Sequence, residues 1–309
     1  MKFALVFPGQ GSQSVGMMNA YGDDPVIRAT FEEASAALGF DLWDMVANGP
    51  AEALNQTVNT QPAMLAAGVA VYHLWLARGG AQPALMAGHS LGEYTAMVCS
   101  GAIGFADAIR LVRLRAEAMQ SAVPEGVGAM AAILGLDDDG VRAACAEAAQ
   151  GEVLEAVNFN SPGQVVIAGN KAAVERGMAL AKEKGAKRAL PLPVSVPSHC
   201  ALMLPAAEKL RAAMTSIEVR VPAIPVLHNA DVAAHDSVDA IRDALARQLY
   251  SPVRWVESMV ALRGAGVELI AECGPGKVLA GLNKRTVDIP TLAITDASSL
   301  ADVLAKTAA

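Results

Sequence analysis

The sequence predicts an α/β fold, and three observations carry that expectation. Short continuous apolar runs closed by glycine or proline alternate with longer helical stretches. A serine at position 90 stands between one such run and a helix-forming stretch, flanked on each side, two residues away, by a glycine. Between Pro124 and Pro197 the alternation repeats in compact form as βαββαβ.

The opening run Phe3 to Phe7 is apolar throughout and ends at Pro8-Gly9, the pattern of a strand buried on both faces of a parallel sheet. Helices are expected at Pro25 to Leu38 and at Pro62 to Ala77. The second is interrupted by Gly68, Tyr72 and His73 and falls short of the roughly 20 apolar residues a membrane span needs, so a buried core helix is expected instead. A strand at Ala84 to Ala87 and helices at Glu93 to Cys99 and Phe105 to Ala122 continue the series. The βαββαβ set then reads Ala129 to Leu134, Asp137 to Ala149, Val153 to Asn158, Gln164 to Ala168, Ala172 to Lys184 and Arg188 to Val194, an order that a ferredoxin-like subdomain uses to close its own four-stranded sheet. A helix from Cys200 to Met214 and apolar runs at Ile224 to Leu227 and Glu268 to Ala271 return to the character of the large unit. The expected division is therefore a large domain of residues 1–124 and 197–309 with a small one, 125–196, inserted.

With 309 residues, 53% of them hydrophobic and 18% charged, the chain is long enough and apolar enough to bury helices on more than one face. Pro8-Gly9-Gln10-Gly11 ends the first apolar run too early for a signal peptide, and a cytoplasmic protein is expected. Cys99, Cys145, Cys200 and Cys273 lie far apart with no C-x-x-C pair, which predicts free buried thiols and neither a disulfide framework nor a zinc site. A net charge of −7 with no basic cluster interleaved with aromatics argues against nucleic acid as a partner.

Gly88-His89-Ser90-Leu91-Gly92 is the pattern of a nucleophile elbow. A serine on so sharp a strand-to-helix turn projects its hydroxyl, and the free N–H groups of the following helix favour the anion that acyl transfer generates. Serine needs a base, so the histidines are sorted. His73 belongs to an apolar helix and reads as structural. His89 adjoins the nucleophile on a bend where neighbouring side chains diverge, and is expected to shape the pocket. His199, in Val194-Ser195-Val196-Pro197-Ser198-His199-Cys200, is placed on a loop at a helix start, whose positive end would keep the ring neutral and able to accept a proton; an exposed loop histidine is the competing reading.

Gly9 and Gly11 follow the first strand but lack the third glycine of a dinucleotide fingerprint, since Ser14 stands there, and Lys277-Val278 departs from a phosphate loop. Either they form a plain tight turn, or they bare the Gln10 N–H as a second oxyanion donor beside that of Leu91. On the helix Phe105 to Ala122, Arg110, Arg113, Glu117 and Gln120 share the solvent face, while Arg115 falls in the apolar arc of Ala108, Leu111, Val112, Ala118 and Met119. A buried guanidinium needs an anion, which would be a protein carboxylate or a substrate carboxylate.

Together, Phe7-Pro8-Gly9-Gln10-Gly11-Ser12-Gln13, Gly88-His89-Ser90-Leu91-Gly92-Glu93-Tyr94, Arg115, Val196-Pro197-Ser198-His199 and Gly274-Pro275-Gly276 resemble the malonyl-CoA:acyl carrier protein transacylase family over nearly the whole chain. The resemblance implies an α/β hydrolase-like core with the ferredoxin-like insert. It implies Ser90 as nucleophile, His199 as base oriented by the main-chain carbonyl of Gln248, Gln10 and Leu91 as oxyanion hole, and Arg115 on the malonyl carboxylate. Asn158, Asn160 and Asn229, with His89, are implied to line the substrate cleft, although a polar turn before Pro162 explains the first two nearly as well. The family often carries another polar residue in place of His228.

The partners so implied are malonyl-CoA and an acidic, phosphopantetheinylated acyl carrier protein. No cofactor and no metal are expected, and the chain is expected to act as a monomer. A basic rim for the carrier would draw on Lys182, Lys184, Lys187 and Arg188, or on Lys284 and Arg285. Three rivals remain open from the sequence: an acyltransferase of malonate decarboxylase or polyketide synthesis, a serine hydrolase or thioesterase needing Asp or Glu behind its histidine, and a carrier-docking scaffold that forms no acyl-enzyme.

Overall fold

The computed structural model describes residues 1–194 and 196–308. The chain opens with β1 (Phe3–Phe7) and a 3-10 turn at Asn19–Tyr21, followed by α1 (Pro25–Leu38), α2 (Leu42–Asn48), α3 (Ala51–Leu54) and α4 (Thr57–Ala77). Then come β2 (Leu85–Gly88), α5 (Gly92–Cys99) and α6 (Phe105–Ala122). A second group comprises β3 (Gly128–Leu134), α7 (Asp138–Ala149), β4 (Leu154–Ser161), β5 (Gln164–Asn170), α8 (Lys171–Glu183) and β6 (Arg188–Pro191). The remainder runs through a 3-10 turn at Ala201–Met203 to α9 (Leu204–Met214), β7 (Val226–Leu227), α10 (Val238–Gln248), α11 (Trp255–Gly264), β8 (Leu269–Cys273), α12 (Val278–Asn283), β9 (Thr291–Ile294) and α13 (Ala297–Thr307).

Two sheets result. The larger is parallel, in the order β7-β2-β1-β8-β9. Because side chains alternate across a strand, Phe3, Leu5 and Phe7 enter one apolar cluster while Ala4 and Val6 enter another on the opposite face. That is why β1 reads as an unbroken apolar run: no residue of it reaches solvent. The smaller sheet is antiparallel, in the order β4-β5-β3-β6. One of its faces is covered by α7 and α8, with Ile133, Val165 and Ile167 packed against Val141 and Val174. Its other face carries Met130, Val157, Val166 and Ala168 against Cys200. The smaller sheet is tied by main chain to the segment between α10 and α11, for Val253 donates to the Val157 carbonyl at 2.8 Å and Phe159 donates to the Val253 carbonyl at 3.0 Å.

Three expected boundaries are corrected. The helix expected from Pro62 begins at Thr57 and carries Pro62 inside it. Burial on nearly every side outweighs the one backbone hydrogen bond that the proline cannot make. The strand expected to reach Val194 ends at Pro191. The helix expected from Cys200 is a 3-10 turn first, and α9 starts at Leu204 with Pro205 in its opening turn, where a missing N–H costs nothing. Ser195, within the expected approach to His199, lies outside the described residues. Among the described residues no helix is long and apolar enough to cross a membrane. All four cysteines are free.

Candidate active site

The bend between β2 and α5 leaves no room for side chains at its two glycines. A Cβ on Gly88 would stand 1.9 Å from the Gly92 carbonyl carbon, and one on Gly92 would stand 2.1 Å from the Phe7 oxygen. Both positions exclude any side chain, and Ser90 between them is held at φ 50°, in the left-handed region. The loop after β1 presses on the same bend, since a Cβ on Gly9 would meet the His89 oxygen at 2.4 Å and the Leu91 nitrogen at 3.6 Å. The main-chain N–H groups of Gln10 and Leu91 donate to no acceptor among the described residues.

Ser90 Oγ lies 2.8 Å from His199 Nε2. His199 is 2% exposed, which removes the exposed-loop reading. Its own backbone is left-handed, at φ 66°, and its N–H donates to the Leu249 carbonyl at 2.9 Å. The ring Nδ1 is 2.8 Å from the main-chain oxygen of Gln248, the last residue of α10, whose carbonyl has no partner within its helix. A carbonyl only accepts, so Nδ1 carries the proton and Nε2 is left as the acceptor facing the serine. Burial, and after it the charge of Arg115, push the His199 pKa down to about 3. Desolvation and a neighbouring cation thus favour the neutral ring, while the start of α9, the cause expected, is set apart from it by a 3-10 turn.

Arg115, 1% exposed on α6, donates from Nη1 to Gln61 Oε1 at 2.8 Å and from Nη2 to Gln248 Oε1 at 3.1 Å. Its Nε has no partner, and the guanidinium lies over the Tyr94 ring at 5.3 Å. Among the described residues no carboxylate pairs with it. The protein carboxylate that the sequence allowed is thus replaced by two neutral amide oxygens, with Glu93 acting from farther away. Burial lowers the Arg115 pKa from its ordinary value.

The remaining residues divide. His89 Nε2 meets Asn160 Oδ1 at 2.7 Å and its ring packs on Trp255, so both sit where the two sheets join. Asn158 is buried in β4 beside Val253. Asn229, expected at the substrate, is 1% exposed and spends its amide on the elbow instead: Oδ1 accepts from the Ser90 N–H at 2.8 Å and Nδ2 donates to the Gly88 carbonyl at 2.7 Å. Sequence reasoning missed Gln61, the side chain of Gln248, and Glu93. Glu93 is fully buried, and its carboxylate takes the Asn229 N–H, Gln248 Nε2 and His228 Nδ1. An acidic residue in the first turn of a helix that is apolar around it was the available signal. Beside the bend, Gln10, Gln120, Pro193 and Val194 help line a cleft of about 220 Å³.

A strained serine on a parallel sheet, hydrogen-bonded to a histidine and neighboured by free amides, is the arrangement of a serine nucleophile, and the family model described as acyl transferase domain matches residues 4–301, which places the chain among the acyl transferases. A malonyl CoA-acyl carrier protein transacylase of Escherichia coli is 59% identical over 305 residues, 98% of this chain and 99% of that one. The crystal structure of an acyl carrier protein S-malonyltransferase from Vibrio cholerae superposes with a TM-score of 0.96 at 58% identity, over 98% of this chain and 100% of that one. A malonyl-transacylase in complex with a type II PKS acyl-carrier protein gives 0.98 at 55% identity, over 99% and 100%. The chain belongs to the malonyl CoA-acyl carrier protein transacylase family.

Proposed function

We propose that this protein moves the malonyl group from malonyl-CoA to the phosphopantetheine thiol of an acyl carrier protein through a malonyl ester on Ser90. The observation that carries the reading is the Ser90 Oγ to His199 Nε2 contact of 2.8 Å beside a buried guanidinium with a free Nε. His199 Nε2 takes the hydroxyl proton as Ser90 attacks the thioester carbonyl. The tetrahedral oxyanion is received by the Gln10 and Leu91 N–H groups, both without a competing acceptor. Collapse expels coenzyme A, whose sulfur takes the proton back from His199; the carrier thiol then repeats the steps in reverse on the serine ester. The Gln248 carbonyl supports the imidazolium that forms in each half, so no catalytic Asp or Glu is required.

Arg115 selects malonyl. Its two bonds to neutral amides leave its charge free to pair with a carboxylate, which acetyl lacks. Asn229 and the Gln248 amide brace the serine backbone, and His89 with Asn160 shapes the cleft; Asn158 is assigned there only through the family resemblance.

The proposed division keeps residues 1–124 and 197–309 as an α/β hydrolase-like domain and 125–196 as a ferredoxin-like one. The strand order β4-β5-β3-β6 with α7 and α8 on one face supports it. Lys182, Lys187, Arg188 and Lys284 are exposed and available to an acidic carrier, whereas Lys184 is paired with Glu147 and Arg285 reaches Ser161 and Gln164. A monomer in the cytoplasm, where free thiols persist, completes the reading. A carrier of polyketide synthesis is the second reading, favoured by the partner in one related structure. Transfer of labelled malonyl from malonyl-CoA to each purified carrier, with Ser90→Ala as control, tests both; a labelled carrier formed by Ser90→Ala at the wild-type rate overturns the proposal.

A further inference from the structure

We infer that Glu93 is a positioning residue for malonyl selectivity, acting through the side-chain amide of Gln248 on Arg115; the inference rests on the function proposed above. An amide can be held either way round, and only one way serves Arg115: Oε1 must face Nη2, from which it accepts at 3.1 Å. That orientation is chosen at the other end of the amide. Gln248 Nε2 donates to the Ser90 carbonyl and to Glu93 Oε2, both at 2.9 Å. A buried carboxylate with three donors around it offers only acceptors, so together with the Ser90 carbonyl it rejects the flipped amide, which would turn two N–H groups onto the guanidinium. The same carboxylate takes the Asn229 N–H at 2.9 Å, and Asn229 holds the Ser90 N–H. Glu93 therefore joins the nucleophile's backbone to the guanidinium without touching the substrate.

The arrangement distinguishes shape from charge. In Glu93→Gln the amide oxygen can replace Oε2 and keep both the Gln248 and Asn229 bonds. The new NH2 then faces His228, which can accept at Nδ1 by moving its proton to Nε2, an atom with no partner at present. In Glu93→Asp the charge stays but the shorter side chain withdraws from Gln248. In Glu93→Ala both carboxylate oxygens are gone, and the Asn229 N–H, Gln248 Nε2 and His228 Nδ1 all lose that partner.

The experiment measures kcat/KM for malonyl-CoA and for acetyl-CoA, with holo-carrier as acceptor, and reads the ratio. Glu93→Ala and Glu93→Asp are expected to lower the malonyl-to-acetyl ratio about tenfold, chiefly through a raised malonyl KM, as the lost alignment of one buried hydrogen-bond partner implies. Glu93→Gln is expected to hold the ratio within about threefold of wild type. In a Gln248→Met background, which keeps the main-chain carbonyl for His199, the Glu93 substitutions are expected to leave the ratio unmoved. If Glu93→Ala fails to fold, Glu93→Asp against Glu93→Gln decides. Malonyl and acetyl rates falling by equal factors in Glu93→Asp, or the ratio still falling in the Gln248→Met background, would overturn the inference. A wild-type protein that moves no malonyl group would instead overturn the function on which it rests.

Discussion

Replacing Arg115 by alanine removes the buried cation proposed to meet the malonyl carboxylate and leaves Ser90 and His199 their hydrogen bond. Breaking one partner of a buried ion pair costs about 3–5 kcal/mol. At 1.36 kcal/mol per factor of ten, malonyl kcat/KM should fall roughly 10²- to 10³-fold. Acetyl transfer has no such pair to lose. In the wild-type protein an acetyl group leaves the guanidinium facing an apolar methyl, so its rate in Arg115→Ala should hold or rise. The substitution also strands Gln61 Oε1 and Gln248 Oε1, a stability cost of about 1–3 kcal/mol each at most, to be read from denaturant melts so that folding loss is not mistaken for lost selectivity. The assay is initial-rate transfer to holo-carrier from each thioester at several concentrations. Equal losses for the two substrates, with the melt unchanged, would refute the assignment of Arg115 to the carboxylate.

The pH profile should be flat on its acid side. With the His199 pKa pushed down to about 3, kcat/KM is expected to show no inflection near 6.5, and Arg115→Ala, by removing a cation beside the ring, should move the acid limb upward. The same depression has a stability consequence. Between about 6.5 and 3 the unfolded chain binds the proton that the folded one refuses, so the contribution of His199 is complete above 6.5 and lost as pH falls; a melting temperature independent of this histidine, compared with His199→Gln across that window, would contradict it. Gly92→Ala, which drives a Cβ to 2.1 Å from the Phe7 oxygen, should abolish folding or activity, whereas Gly281→Ala, in a helix with nothing within 4 Å, should gain about 0.5–1 kcal/mol; thermal melts of the pair test the elbow argument.

What the sequence disclosed follows the range of the interactions involved. β1 and the elbow are legible because their causes are local: five apolar residues buried on both faces, and two glycines whose absent side chains the bend itself demands. The antiparallel unit is legible because each of its strands and helices has its own period. Arg115 is legible as a misfit on an apolar arc, but its partners Gln61 and Gln248 come from α4 and α10, distant in the chain and alike in having no pattern that marks them. The sequence offers the nearest helix as the reason for a neutral His199, whereas the burial and the Arg115 charge that lower its pKa arise only in the folded chain. Asn229 enters through the family resemblance alone, and nothing local in the sequence tells that Ser90 N–H and Gly88 O take both ends of its amide. α10 is a different case, for Ser237 accepts from the Ala240 N–H and Ile241, Ala244, Leu245 and Gln248 line one buried face, a start signal and a period that are both present in the sequence.

The most direct measurement is a pulse and chase on the purified protein. After brief exposure to labelled malonyl-CoA with no carrier present, digestion should recover the label on the peptide containing Ser90; adding holo-carrier should then empty the serine and fill the carrier. Label appearing on the carrier with the enzyme never labelled, or free malonate released before carrier is added as fast as the carrier is later charged, would contradict the account.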